Sequence, residues 1–232
     1  MVLLAIDTST SLIGAAVHDG SRVLGEVTHQ DARRHAELLA PSVQRCLDEA
    51  GLAPRDLTGV VVGVGPGPFT GLRVGVVTAL VLGQVLDVPV HGICSLDALA
   101  AEAVVEALVP GAQLLVATDA RRKEVYWARY AVTAGSHGVR RTDGPGVARA
   151  ADLPQAVRDL PAVGRGPLLY PDVLHALPGP VDVRPGILAQ LAHDALAAGD
   201  PTGILLPVEP LYLRRPDAVE RESVARAPEV AR

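Results

Sequence analysis

The stretch from Leu57 to Leu86 constrains the fold more than any other part of this 232-residue chain. It consists of an apolar strand, LTGVVVGVG, a loop rich in glycine and proline, and a helix in which Arg73 and Gln84 interrupt an otherwise apolar surface. A strand without polar alternation is typical of a sheet covered on both faces. A helix that is apolar on nearly every side must also be covered all round. The sequence therefore predicts a layered α/β fold, with a helix that either the chain itself or another subunit covers.

The elements on either side complete this architecture. Three short strands joined by tight turns precede the apolar strand, and a helix ending at Gly51 lies between. The strand VPVHGIC and a helix with Ser95 as its N-cap follow. The order βββαβαβα matches half of an actin-like domain.

Composition and turn residues predict the domain organisation. Pro110-Gly111 marks a boundary, so residues 1–109 are expected to form the N-terminal subdomain and residues 110–215 a smaller C-terminal subdomain. That second part should contain a strand, a polar turn, another strand and a late amphipathic helix. Residues 216–232 show no apolar periodicity and are predicted to be a flexible tail.

The fractions of charged and hydrophobic residues, the net charge and the two cysteines limit which classes of function this chain can have. Charged residues make up 20% and hydrophobic residues 49%, which favours a buried interface. The formal charge is 21 − 26 = −5, and chains that bind nucleic acid alone are usually basic. Cys46 and Cys94 are expected to be buried thiols in a cytosolic protein. No signal peptide and no membrane span of about 18 apolar residues is predicted.

The loop GVGPGPFTGLRVG, residues 63–75, matches neither the P-loop nor the dinucleotide-binding pattern. Pro66 and Pro68 lack the N–H groups that a phosphate cradle uses, so the loop is interpreted as a stiff turn that starts a helix near Thr70 or Gly71. A vestigial nucleotide or anion site stays open as an alternative, shared with the polar turn after the first strand. Its candidate residues are Asp7, Thr8, Ser9, Gly65, Gly67, Thr70 and Gly71.

The sequence supplies neither a metal site nor a nucleophile. A metal pair on one helical face needs histidines at i and i+4, but Leu39 stands four residues after His35. No Gly-x-Ser-x-Gly occurs, and neither cysteine has a flanking catalytic signature. The segment from Asp119 to Lys123 is interpreted as a solvated, ion-paired turn. No catalytic residue and no metal ligand is therefore predicted.

The helix after the loop carries a stripe of small residues. Gly75, Ala79 and Gly83 recur at i, i+4 and i+8, which lets another helix approach closely. The sequence leaves open whether an element of the same chain or a second subunit packs there.

Five segments resemble a known family. They are DTST (7–10), HAELLAP (35–41), GPGPFTGLRVG (65–75), TDARRKEVYWARY (118–130) and PLYLR (210–214). Together and in this order they resemble the TsaB (YeaZ) family, the bacterial dimerisation subunit of the tRNA threonylcarbamoyladenosine machinery. The resemblance covers roughly residues 1–215.

The resemblance implies a fold and a set of partners. The family has an actin-like, Hsp70-like (ASKHA, RNase H-like) fold of two subdomains with mixed sheets flanked by helices. Its members form a heterodimer with a larger catalytic paralogue, the TsaD family, which transfers threonylcarbamoyl to the adenosine beside the anticodon of tRNAs reading ANN codons. A small ATPase of the TsaE family joins them in the cytoplasm. The subunit is expected to form a homodimer when alone and to meet tRNA only through the complex.

The resemblance also implies which residues face a partner. The first two helices of the family pack against the equivalent pair in the paralogue, which places an interface on this chain at Leu38, Leu39, Val43, Leu47, Arg73, Val74, Gly75, Val77, Ala79, Val81 and Gly83.

Two departures from the paralogue point to a non-catalytic subunit. The paralogue has a His-x-x-x-His metal pair, of which only His35 is present here, and Asp119 is followed by Ala120 instead of the glycine usual in nucleotide-binding turns. No cofactor is therefore expected in the isolated chain, and ATP and metal are assigned to the partner subunits. Two alternatives are kept: a stand-alone actin-like ATPase or kinase that uses Asp7 and the glycine loop, and a peptidase-like protein.

Overall fold

A computed structural model describes residues 1–31, 33–107, 109–134, 138–200 and 203–214. The predicted tail, residues 216–232, lies outside the described residues. The strands are β1 (Leu3–Asp7), β2 (Leu12–His18), β3 (Val23–Gln30), β4 (Gly59–Gly65), β5 (Val90–Cys94), β6 (Gln113–Asp119), β7 (Glu124–Val132), β8 (Val139–Arg149), β9 (Pro161–Val163), β10 (His175–Ala176) and β11 (Leu205–Leu206). The α-helices are α1 (His35–Ala50), α2 (Phe69–Leu86), α3 (Ser95–Ala107), α4 (Gln155–Arg158), α5 (Gly166–Leu169) and α6 (Pro185–Ala198).

The first sheet has the strand order β11-β5-β4-β1-β2-β3. β1, β2 and β3 form the predicted antiparallel meander, whereas β4 runs parallel to β1 and β5 runs parallel to β4. Parallel neighbours require crossover connections, and α2 supplies the one between β4 and β5. The predicted order βββαβαβα and the α/β class with mixed sheets are confirmed.

Both faces of the first sheet are covered, which explains its apolar strands. Leu4 and Ile6 of β1 point to a core shared with α1 and α2. Leu3 and Ala5 point to the opposite core, which α3, α6 and the second sheet complete. Because side chains alternate along a strand, this two-sided burial leaves no position for a polar residue until Asp7 at the strand end.

The second sheet has the order β10-β9-β6-β7-β8. β6 and β7 form an antiparallel hairpin, as predicted, around a turn at residues 120–123. The face of the second sheet that points away from the first sheet packs in a third core, which includes Leu115, Val125 and Leu153. The hairpin turn follows the carboxyl end of β6 and lies beside the loop that follows β4.

The last elements of the chain return to the first sheet. α6 packs against β1 and β2, and β11 pairs antiparallel with β5. The late helix is confirmed, while the division into 1–109 and 110–215 stays a prediction. α6 and β11 thus contribute to the N-terminal layer although they come late in the sequence.

Helix α2 differs from the prediction in two respects. It begins at Phe69 instead of Thr70 or Gly71, with Pro68 as its N-cap residue. With 18 residues and one charge it is long and apolar enough by length and composition to cross a membrane, so the statement that no stretch reaches that length is wrong. Its inner face packs on β4, which is the ordinary position of a crossover helix in an α/β protein.

The N-cap role of Ser95 is also wrong. Ser95 is the first residue of α3, and its hydroxyl bonds to Asp7 and to the amide of Gly65 instead of to its own helix. The side chain therefore links three separate strand ends.

Candidate functional site

The polar turn after β1 is buried and internally satisfied. The Asp7 carboxylate is fully buried; its Oδ1 accepts from the Ser9 amide at 2.8 Å and the Ser9 hydroxyl at 2.7 Å. Its Oδ2 accepts from Ser95 Oγ at 2.8 Å, and Ser95 Oγ in turn accepts from the Gly65 amide at 3.2 Å. Burial raises the Asp7 pKa to about 6 although these hydrogen bonds lower it. Ser9 and Ser95 thus engage both oxygens of the carboxylate.

The glycine loop packs against that turn. A Cβ at Gly67 would lie 2.4 Å from the Ser9 carbonyl oxygen, and a Cβ at Gly71 would lie 2.5 Å from the Thr8 carbonyl oxygen. The Thr8 hydroxyl donates to the Gly71 carbonyl at 2.8 Å. Glycine is thus required because two backbone segments are in contact, and no space is left between them for a phosphate.

The residues predicted for a vestigial anion site lie at different depths in the structure. Ser9 and Gly67 reach the cleft between the two sheets, but Asp7, Thr8 and Gly65 are buried beneath it. Gly71 is buried against His35, and Thr70 is exposed on the first turn of α2.

The cleft itself has an inner and an outer part. The inner cavity, about 40 Å³, lies between the turn after β1, the start of α1 and the second sheet. The outer cavity, about 220 Å³, lies between the start of α2, the 120–123 turn and the chain after β11. Pro68, Asp119 and Arg121 line both cavities, so the two spaces adjoin.

His35 is a buried polar side chain at the inner cavity. As the first residue of α1 it is 6% exposed, and its Nε2 has no hydrogen-bond partner. Burial lowers its pKa, which favours the neutral ring. Leu39, at the position where a metal pair would need a second histidine, lies in the hydrophobic core. Within the described part of the chain, no group of three histidine, cysteine or acidic side chains is close enough to hold a metal ion.

Two ion pairs form the opposite wall of the inner cavity. Arg121 pairs with Asp119 at 3.0 Å, which confirms the predicted ion-paired turn. Arg165 pairs with Asp182, and sequence reasoning missed both residues. No local pattern marks them, because they come from separate loops that only the tertiary structure brings together.

Helix α2 presents an exposed apolar stripe outside the cleft. Val77, Leu80, Val81 and Val85 are 56%, 44%, 53% and 74% exposed, respectively. An apolar groove of about 200 Å³ between α1 and α2 adjoins this stripe. The described residues therefore cover one face of the helix and leave exposed the opposite face, for which the sequence left open coverage by the chain itself or by another subunit.

Several residues predicted for an interface lie inside the chain's own core. A Cβ at Gly83 would lie 2.1 Å from Val90 Cγ2, and a Cβ at Gly75 would lie 2.4 Å from Thr8 Oγ1. The small-residue stripe therefore seats α2 on its own sheet, and its interpretation as a surface for another subunit is wrong. The other predicted interface residues that are buried in the chain are Leu39, Val43, Leu47 and Ala79.

The remaining predicted interface residues are accessible. Val77, Val81 and Arg73 are exposed, and Leu38 and Val74 are half-buried. The guanidinium of Arg73 lies 3.9 Å above the ring of Phe69. Leu80 and Val85 belong to the same stripe and were not among the predicted set.

Comparison with known proteins identifies relatives of the whole chain. The family model described as TsaD, tRNA N6-adenosine threonylcarbamoyltransferase, matches residues 22–154. An uncharacterized protein of Mycobacterium tuberculosis is 44% identical over 219 residues, covering 93% of both chains. The tRNA threonylcarbamoyladenosine biosynthesis protein TsaB of Bacillus subtilis is 39% identical over 101 residues, 44% of each chain. The structure of YeaZ from Pseudomonas aeruginosa superposes with a TM-score of 0.73 at 30% identity, covering 91% of this chain and all of that one.

Proposed function

This chain belongs to the TsaB (YeaZ) family, and from that premise we propose that it is a non-catalytic subunit that binds and supports a larger paralogue of the TsaD family. Its relatives named TsaB are tRNA threonylcarbamoyladenosine biosynthesis proteins, and the chain takes part in that modification. In this proposal the paralogue carries out the transfer to the adenosine beside the anticodon of tRNAs reading ANN codons.

The apolar stripe of α2 is the observation that carries the proposal. Four aliphatic side chains on consecutive turns, Val77, Leu80, Val81 and Val85, point away from the chain's own core. Contiguous apolar surface of this kind is typical of a protein interface. The groove between α1 and α2 adds a depression that side chains of a facing helix can fill.

The buried turn at Asp7 supports the non-catalytic part of the proposal. A carboxylate that holds a metal or its water must be accessible, whereas Asp7 has both oxygens engaged by Ser9 and Ser95. The same burial argues against a stand-alone ATPase or kinase. Calorimetry with Mg-ATP on the purified chain tests that alternative, which micromolar binding lost in Asp7→Asn would favour.

The remaining assignments follow from the family. In the proposal a small ATPase of the TsaE family joins the two subunits, tRNA is contacted only through the complex, and ATP and metal belong to the partners. The complex acts in the cytoplasm, and the isolated chain forms a homodimer.

The interface is tested by Val77→Asp and Val81→Asp. Each places a carboxylate at the centre of the stripe, where burial without a partner is unfavourable. Both variants should fold but fail to co-elute with the TsaD-type paralogue in size-exclusion chromatography. Leu168→Asp is the matched control, because Leu168 is 58% exposed on the second sheet's side of the molecule. Normal complex formation by the Val77 and Val81 variants would show that the interface lies elsewhere.

A further inference from the structure

The outer cavity combines cationic and aromatic side chains. The chain has one phenylalanine, four tyrosines and one tryptophan, and three of these six residues line this cavity: Phe69, Tyr126 and Tyr212. The same space is lined by three guanidiniums and one carboxylate, those of Arg121, Arg122, Arg214 and Asp119. A chain with a formal charge of −5 therefore has a locally basic cavity, whereas two arginines and two aspartates line the inner cavity.

The turn at residues 120–123 holds its cations in an uncommon backbone conformation. Arg121, Arg122 and Lys123 have φ angles of 61°, 51° and 64°, in the left-handed region that glycine adopts most easily. All three residues are exposed, so burial in a core does not explain why long cationic side chains stand here instead of glycine. The turn thus carries its positive charges at a conformational cost, which is typical of functional positions.

The arginines keep hydrogen-bonding capacity for a ligand. Arg121 Nη1 pairs with Asp119 at 3.0 Å. Arg214 pairs with Glu124, and its Nη1 donates to the Ala120 carbonyl at 2.8 Å. A guanidinium has five N–H donors, so these contacts orient both groups without using all of their donors. Guanidiniums oriented in this way suit phosphate oxygens, which they can bind through two parallel hydrogen bonds.

The aromatic rings lie beside these cations and are partly accessible. Tyr212 stacks on Phe69 with ring centroids 4.4 Å apart, yet Tyr212 is 41% exposed. The exposed Arg73 places its guanidinium 3.9 Å from the centroid of the Phe69 ring. Basic surfaces with accessible aromatic rings are typical of proteins that bind single-stranded nucleic acid, because the cations meet the phosphates and the rings stack on unpaired bases.

The position of the cations favours RNA over the other anions that could reach them. Pro66 and Pro68 supply no amide to a cradle for a free triphosphate, and the cations lie on an exposed turn that the backbone of a large molecule can reach. An acidic peptide would meet the charges but would bring no planar group for the rings. RNA is also what the modification acts on.

Helix α2 connects this cavity to the proposed interface. Phe69 lines the cavity, Arg73 follows one turn later, and Val77 begins the exposed stripe after a further turn. One turn of a helix advances about 5.4 Å, so the cavity lies at the edge of a surface that a paralogue on the stripe would cover.

We propose that, within the complex, the outer cavity binds single-stranded RNA of the tRNA, with a backbone phosphate at Arg121 and Arg122 and an unpaired base beside Tyr212. The cavity of about 220 Å³ has room for a base as well as a phosphate, since one water molecule needs about 10–15 Å³. This inference rests on the proposed function, in which the chain meets tRNA through the complex, and adds a direct contact between this chain and RNA.

Fluorescence anisotropy of a labelled tRNA with the assembled complex tests the contact. The double variant Arg121→Gly/Arg122→Gly removes both guanidiniums, and glycine readily adopts the positive φ of these positions, so the turn should keep its shape. The variant should co-elute with the paralogue but bind tRNA about tenfold more weakly. The slope of log affinity against log salt should shrink by about 1.4, or about 0.7 for each lost phosphate contact.

Arg140→Ala is the matched control. Arg140 is an exposed arginine of the same sheet, but it pairs with Ala131, at the end of β7 away from the turn. Its complex should bind tRNA with the affinity and salt slope of the natural complex. Unchanged tRNA affinity in the double variant would overturn the proposal.

Two other outcomes would assign the cavity to a different ligand and equally overturn the proposal. Loss of co-elution in the double variant, with the chain still folded, would place the arginines in the protein interface. Binding of AMP to the isolated chain as tightly as the complex binds tRNA would assign the cavity to a free nucleotide.

Photo-cross-linking decides independently of any variant's folding. Thiouridine in the anticodon loop should cross-link, in the natural complex, to residues 119–126 or 210–214, and cross-links to the paralogue alone would contradict the contact. If the natural chain does not co-elute with the paralogue, the proposed function fails. Cross-linking of the tRNA to the isolated chain then decides the inference, which the same residues would support and their absence would overturn.

Discussion

The buried carboxylate of Asp7 connects several elements by hydrogen bonds, but its desolvation disfavours the ionised form. Its carboxylate joins the ends of β1, β4 and α3 through Ser9, Ser95 and the Gly65 amide. Gly63 must lack a side chain, since a Cβ there would lie 1.8 Å from Asp7 Oδ2. The hydrogen bonds favour the ionised form, but desolvation outweighs them and raises the pKa to about 6.

The raised pKa of Asp7 predicts a stability change with pH. Between pH 3.8 and about pH 6 the folded chain keeps the proton that the unfolded chain releases, so the free energy of unfolding falls as pH rises through this window. The loss from this group amounts to about 3 kcal/mol and is complete above about pH 6. Asp7→Asn, which cannot ionise, should lack this component.

Thermal or urea unfolding at several pH values measures the effect. The stability of Asp7→Asn relative to the natural chain should increase from pH 4 to pH 6 and stay constant from pH 6 to pH 7. Ser21→Ala serves as a control for an exposed hydroxyl–carboxylate turn of the same type, at Asp19. A difference between Asp7→Asn and the natural chain that does not vary with pH would contradict the raised pKa.

Helix α2 is held at its N-terminal end by the segment that follows β11. The Leu211 amide donates to the Val64 carbonyl at 2.8 Å, and the Tyr212 ring stacks on Phe69 with centroids 4.4 Å apart. Arg73 Nε donates to the Tyr212 hydroxyl at 3.1 Å. Arg214 then reaches the second sheet, where Nη1 donates to the Ala120 carbonyl at 2.8 Å. One extended segment therefore connects α2, the glycine loop and the 120–123 turn.

Tyr212→Ala should release this segment locally. The substitution removes an aromatic stacking contact of about 1 kcal/mol and the hydrogen bond to Arg73. Native-state hydrogen exchange should become about tenfold faster at the Leu211 amide, with a smaller effect at amides of β1.

Tyr212→Phe separates the two contributions. It keeps the ring and loses only the hydroxyl, so exchange at Leu211 should stay close to that of the natural chain. Equal acceleration in both variants would show that the hydrogen bond, and not the stacking, holds the segment. No acceleration in Tyr212→Ala would show that the segment is held by Arg214 and the backbone contacts.

At the scale of the whole molecule, helices α6 and α2, on opposite faces of the first sheet, differ in how far other elements cover them. α6 is covered by α3 and by the first sheet. α2 instead exposes Val77, Leu80, Val81 and Val85 beside the groove to α1. A stable interface between proteins buries about 1,200–2,000 Å² in total.

The isolated chain is accordingly expected to form a homodimer through this stripe. Its melting temperature should then rise with protein concentration, because association stabilises the folded state by mass action. Sedimentation equilibrium should give a dimer for the natural chain and for Leu168→Asp, and a monomer for Val81→Asp. If the natural chain stayed monomeric at all concentrations, the homodimer would be contradicted. The heterodimer with the paralogue is tested separately, by co-elution.

The sequence by itself determined the layering of this protein. Apolar strands and helices, tight turns and their order along the chain are local signals, so the meander, the crossover helix α2 and the 118–130 hairpin were predictable. The prolines at positions 66 and 68 also indicated that two of the loop's amide donors are missing. The structure gives the reason for the loop's glycines in the close contact with Thr8 and Ser9.

Only the tertiary structure decided which faces are covered and which side chains meet. A glycine stripe looks the same whether it seats a helix on its own sheet or on another subunit, and the contact of Gly83 with Val90 distinguishes them. Arg165 and Asp182 lie 17 positions apart on separate loops, and His35 lies far upstream in the chain. Their convergence on the cavity depends on how the two sheets pack, and spacing along the chain does not encode that packing.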